Sequence, residues 1–233
     1  PARFTARASR LCVERRPQMH DFVHLNVHSE YSLVDGVVRV PALLEQVERM
    51  GMPAVALTDQ SNVFAMVKFY RAAVARGIKP IIGADLWVGD SVEDRDPSRV
   101  TLLCADGSGF RNLSQLLTLA YTEGQGHGRA IILKQWLEAE RLQGLIALSG
   151  GQFGEVGKAL LRNKPDRASQ ILEQWRSWFP GRYYLELHRV GRADENVHVC
   201  RAVNLASICQ IPVVATLSLI HISEPTRRTP ISY

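Results

Sequence analysis

Apolar positions along the chain fall into two alternating patterns. Short, nearly continuous β-rich runs occur at FVHLNV (22–27), PAVALTD (53–59), KPIIGADLWV (79–88), RVTLLCA (99–105), GLIALSG (144–150), RYYLELH (182–188) and PVVAT (212–216). Such runs mark strands covered on both faces, as in a parallel sheet. Between them lie amphipathic stretches of helical period. VPALLEQVERMG sets Leu43, Val47 and Met50 on one face and meets a helix stop at Gly51. NVFAMVKFYRAAVARG repeats the plan up to Gly77, and GFRNLSQLLTLAYTEG, PDRASQILEQWRSWF and ADENVHVCRAVNLASIC predict three more helices. Asp166 and Asp194 fall at or near helix starts, where an acid suits the helix dipole.

Repeated strand–helix alternation with right-handed crossovers gives either an open doubly wound sheet or a closed barrel. No GxGxxG follows the first strand and no GxxxxGK[ST] occurs, so the usual nucleotide-binding reason for an open sheet is missing. In a barrel, chemistry gathers at the C-terminal ends of the strands. Polar residues recur at those ends: Asn26 and His28, Asp59 and Gln60, Asp85, Ser149 and His188. Their recurrence at successive strand ends favours one shared pocket over scattered surface polarity.

Charge changes the picture less than its total suggests. The 233 residues carry a formal net charge of +5, a value that can signal nucleic-acid binding. Residues 1–18 contribute +4 and residues 217–233 contribute +1, which leaves residues 19–216 formally neutral. A neutral body does not hold a phosphate backbone by counterion release. Both ends lack strand or helix periodicity: residues 1–18 read as a disordered or non-native extension and residues 217–233 as a non-native, disordered tail. No apolar run is long enough to span a bilayer, so no membrane partner is expected. The four cysteines (Cys12, Cys104, Cys200, Cys209) form no CxxC pair and fit reduced thiols in a cytoplasm.

The stretches FVHLNVHSEYSLVDG, PAVALTDQSNVFAMVKFYRAAVARGIKPIIGADLWV and GFRNLSQLLTLAY resemble the polymerase-and-histidinol-phosphatase (PHP) domain of bacterial DNA polymerase III alpha subunits, of gammaproteobacterial type. EGQGHGRAIILKQWL, GLIALSGGQFGEVGKALL, RYYLELHRVGRADENVH and PVVAT continue the resemblance in order. It covers roughly residues 20–216 and implies a distorted β/α barrel of about seven strands, incomplete at its C-terminal end. It also implies a scaffold that stabilises a replicative polymerase and docks a proofreading exonuclease and other holoenzyme subunits. DNA would be met through downstream domains. The polymerase palm, with its Mg, would also lie outside this chain, so no catalytic residue of polymerisation is expected here.

Metal-competent members of that family hold a metal cluster for phosphoester hydrolysis, in which metals activate water and clamp the phosphate. Matched to their ligand pattern, His28 and Asp35 survive, Asp59 remains within Thr58-Asp59-Gln60, and Asp85 replaces a glutamate. Asn26, Gln60, Arg99 and Gly151 stand at positions where the resemblance implies other ligands. Neutral amides ligate transition metals poorly, and an arginine brings a permanent cation where a dication would bind. The expectation is a vestigial site without a resident cofactor, residual Zn or Mn being the exception left open, with Arg99 facing Asp59 or Asp85. An active metal-dependent phosphoesterase or proofreading nuclease is the alternative. Trp175 and Trp178, three apart on one helix, read as packing residues, and Ser149 lacks the GxSxG elbow of a nucleophile.

Overall fold

The computed structural model describes residues 22–217 apart from Val34. The expected extension at 1–18 lies outside the described residues, as does all of the expected tail except Leu217. Among the described residues, eight strands and six α-helices follow one another from α1 (Val40–Arg49), β1 (Ala54–Leu57), α2 (Met66–Ala75), β2 (Lys79–Gly89) and β3 (Ser98–Cys104) to α3 (Gly107–Thr122), β4 (Gln125–Gly126) and β5 (Arg129–Leu133). Then come β6 (Leu145–Leu148), α4 (Glu155–Leu161), α5 (Pro165–Trp178), β7 (Tyr183–His188), α6 (Glu195–Cys209) and β8 (Val213–Thr216). The five helices expected from the amphipathic pattern all form. Residues 22–27 are no regular strand: they lie along β1 through a bridge from His24 to Val55 and bonds from Ala56 N to His24 O and Thr58 N to Val27 O.

The sheet runs β4-β5-β2-β3-β6-β7-β8, with β1 on the first residues of β2. It is not uniformly parallel. β3 lies antiparallel to both β2 and β6, whereas β1–β2, β2–β5, β6–β7 and β7–β8 are parallel. The parallel expectation fails because no helix fits in the connection 90–97, and a link that short can only turn the chain back. Reversal puts the first residues of β3 at the same rim as the last residues of β2 and β6. Among the described residues β8 pairs only with β7, so backbone pairing leaves the barrel open.

Side-chain alternation then sorts the interior from the exterior. Along β2, Ala84, Leu86 and Val88 join Val100 and Leu102 of β3 and Leu145 and Ala147 of β6 in the core beneath α3 to α6. Trp175 anchors that core, stacked on Phe179 and Tyr183 with centroids 6.1 and 5.8 Å away, and Trp178 packs edge-on. Helices α1 and α2 press Leu43, Leu44, Val47 and Phe69 against Val55 and Leu57 of β1. The alternate positions point inward. Leu25, Ala56, Ile81, Leu103, Ile146, Leu148, Tyr184 and Val214 form an apolar floor, and above it Thr58, Thr101, Glu186 and Thr216 are polar and buried.

Candidate functional site: a polar rim without a metal cage

Strand register assembles the rim. A bridge aligns Gln60 with Asp85, and Asp85 is the partner of Thr101, so the three share one row across adjacent segments. One inward step higher, Trp87 is the partner of Arg99, which explains why the guanidinium lies over the indole at 5.1 Å. Arg99 is the second residue of the antiparallel β3 and reaches the Asp85 carboxylate on β2.

His28 and Asp35 come from the loop that follows the first apolar run. Asp35 N and Gly36 N donate to Ser32 O at 3.1 and 2.8 Å, folding the loop back on itself. Gly36 permits this because a Cβ there would sit 1.7 Å from Ser29 O. The turn sets Asp35 Oδ1 3.0 Å from His28 Nδ1 and 2.7 Å from the donating Ser32 hydroxyl. His28 Nε2 lies 3.3 Å from Asp85 Oδ2, off the hydrogen-bond line. Arg99 Nη2 pairs with Asp85 Oδ2 at 2.6 Å, approaches Asp35 Oδ2 at 3.9 Å and donates to Gln60 Oε1. Gln60 Nε2 in turn donates to Asp85 O at 2.9 Å.

Two cations and two carboxylates thus interlock. Burial opposes the charged form of His28, yet Asp35 and Asp85 outweigh it and raise the imidazole to about 9. Burial likewise opposes ionisation of Asp35, but His28, Ser32 and Arg99 bring its carboxyl down to about 2. Asp59 stands apart. It takes Ser29 N at 2.6 Å and Ser29 Oγ at 2.9 Å, and burial raises its pKa in spite of those bonds. Of the two carboxylates expected to face Arg99, Asp85 holds it; the Ser29 clamp keeps Asp59 turned away.

A second polar group fills the opposite side of the rim. Glu186, fully buried, accepts from Thr216 Oγ1 at 2.6 Å and Asn26 Nδ2 at 3.5 Å, with His188 Nε2 at 3.1 Å. Asn26 also donates to Thr101 Oγ1 at 3.2 Å, and Glu186 N donates to Ser149 Oγ at 2.9 Å, which employs Ser149 as an acceptor. Glu186 lies inside a strand and so escapes the strand-end pattern. Its signal is present in YYLELH, where Tyr184, Glu186 and His188 alternate onto one face of an otherwise apolar strand.

These residues do not fit the metal cluster that the family pattern implies. Asp35 and Asp85 are committed to His28 and Arg99, Gln60 relays hydrogen bonds from Arg99 to Asp85 O, Asn26 donates to Thr101 and Glu186, and a guanidinium sits among the carboxylates. At Gly151 a Cβ would come 2.6 Å from His188 Nδ1, so the imidazole fills the space a ligating cysteine would need. Among the described residues, no group of three or more His, Cys, Asp or Glu is placed to hold a metal ion.

Among the described residues, the eight-stranded mixed sheet forms a distorted barrel, open in its backbone pairing, with helices outside and a polar rim at one end. A Bifidobacterium adolescentis protein assigned as a metal-dependent phosphoesterase superposes with a TM-score of 0.56 at 12% identity, covering 87% of this chain and 89% of its own. An amidohydrolase from Chromobacterium violaceum gives 0.50 at 13% identity, with 87% and 91% covered. At that identity the likeness speaks for the fold alone. The PHP domain family model matches residues 24–190, and the chain belongs to that family. DNA polymerase III subunit alpha of Pseudomonas aeruginosa is 48% identical over 195 residues, and that of Vibrio cholerae 42% identical over 203. The matches take in 84% and 87% of this chain but only 16% and 17% of those proteins' lengths.

Proposed function

We infer that this chain is the PHP portion of a replicative DNA polymerase III alpha subunit and that it acts as a metal-depleted scaffold. In this reading it stabilises the polymerase and docks the proofreading exonuclease within the cytoplasmic replication complex. Polymerisation with Mg and contact with DNA belong to the other domains of such a polypeptide. The observation that carries the reading is the 48% identity to an alpha subunit over 84% of the chain. The interlocked His28, Asp35, Asp85 and Arg99 favour a scaffold over a phosphoesterase, because a nucleophilic water needs an open metal position and this rim offers a cation instead.

The test combines elemental analysis with docking. After dialysis the purified protein should hold well under one equivalent of Zn or Mn. A proofreading exonuclease subunit from Pseudomonas aeruginosa should co-elute with it equally with and without chelator. Stoichiometric metal whose removal abolishes a phosphodiesterase activity would overturn the reading in favour of the active phosphoesterase.

A further inference from the structure

We propose that the Arg99 guanidinium is a tethered cation standing in the place of the absent metal, so that its pocket is at root a site for a small planar cation. The inference rests on the metal-depleted reading of this rim and adds to it what fills the place. Four observations support it.

The pocket walls suit a guanidinium. Asp85 Oδ2 and Gln60 Oε1 both meet Nη2, Asp35 Oδ2 stands 3.9 Å away, and the Trp87 ring offers its π-face at 5.1 Å. The charges match, since Asp35 and Asp85 face His28 and Arg99, and removing Arg99 leaves one carboxylate uncompensated. The place is also loosely finished. Arg99 Nε, Asp85 Oδ1 and Asn26 Oδ1 are buried without hydrogen-bond partners. They belong to residues lining a void of about 10 Å³, shared with Gly150, Phe153, His188 and Arg192. Finally, the guanidinium is delivered by a side chain 15% exposed, so a free cation could enter from the rim once the tether is cut.

The experiment is chemical rescue read by thermal melting of the full chain. Arg99→Ala should lower the melting temperature by roughly 10 °C, as expected when one partner of a buried ion pair is removed. Guanidinium chloride at tens of millimolar, far below denaturing concentrations, should return several degrees to the variant and none to the wild type. Potassium chloride at equal ionic strength should return little. Arg99→Lys should fall between, because an ammonium can donate to Asp85 and Gln60 but has no planar face to lie over the Trp87 ring. Equal rescue by potassium, no rescue by guanidinium, or an unchanged melting temperature in Arg99→Ala would each overturn the proposal.

If Arg99→Ala does not fold, the Arg99→Ala/Asp85→Asn double variant takes its place. It should fold and ignore guanidinium, and a double variant as unstable as the single would sink the idea. Elemental analysis of the same wild-type sample separates the two readings. Bound metal there defeats the metal-depleted reading, whereas metal-free protein without rescue defeats only this inference.

Discussion

The two sides of the rim solve one problem in different ways. On the side of β2 and β3, two carboxylates, Asp35 and Asp85, are balanced by two cations, His28 and Arg99. On the side of β7 and β8, one fully buried carboxylate, Glu186, accepts from a hydroxyl and an amide, has the His188 imidazole 3.1 Å away, and its Oε2 is left without a partner. The first side is an ion-pair lattice in which each member is needed to offset another's desolvation. The second is a hydrogen-bond group gathered around a single acid. Where charges of both signs are buried together, deletion of one exposes the others to the full penalty; where neutral donors serve a single acid, deletion costs about one hydrogen bond.

The largest effect that tests this contrast is expected from His28→Ala. It strips Asp35 and Asp85 of their shared imidazolium and should cost about 3–5 kcal/mol, a melting temperature lower by about 10 °C or more. The loss should be the same in chelator as in excess Zn or Mn. Wild type gaining several degrees from metal, with His28→Ala gaining none, would make His28 a live ligand.

Next in size is the pH dependence. The folded His28 titrates near 9, above its ordinary 6.5, so its contribution is complete below about pH 6.5 and fades as pH rises through 9. Asp35 titrates near 2, below its ordinary 3.8, so its contribution holds above about pH 4 and fades only in strong acid. Stability should therefore decline by about 2–3 kcal/mol between pH 6.5 and 10, measured by urea unfolding. The decline should vanish in His28→Ala; its persistence there would assign it to another group.

Glu186→Gln should show the smallest change, under about 1.5 kcal/mol, because Thr216 and Asn26 can bond an amide oxygen as they bond the acid. A loss as large as that of His28→Ala would erase the distinction between the two sides.

Much of this rim was legible in sequence because inward-facing polar residues interrupt apolar runs at strand ends. Gln60, Asp85, Ser149 and His188 all announce themselves that way. What escaped depended on direction and on short elements. The reversal of β3 is written only in the length of a connection, not in the strand's composition. Helix α4 begins within the glycine-rich stretch GGQFGEVG and is too short to show a period. The β4–β5 hairpin turns on His127 and Gly128, both at positive φ, a turn signal of HG type that the polar loop around it obscures. Pairings such as Asp59 with Ser29 join residues 30 apart through space, and no periodicity encodes them.

The reversal of β3 has a bearing on how the rim is built in time. Asp85 and Arg99 lie on two strands joined by a short return, so their contact closes a small loop. Closing a small loop costs little chain entropy, and the hairpin can form before distant parts of the chain arrive. A metal bound by residues from many segments must wait until those segments converge and must then be captured from solution. A cation carried on the hairpin is present as soon as the two strands pair. The positive charge at this edge of the rim thus comes with the β2–β3 pairing itself.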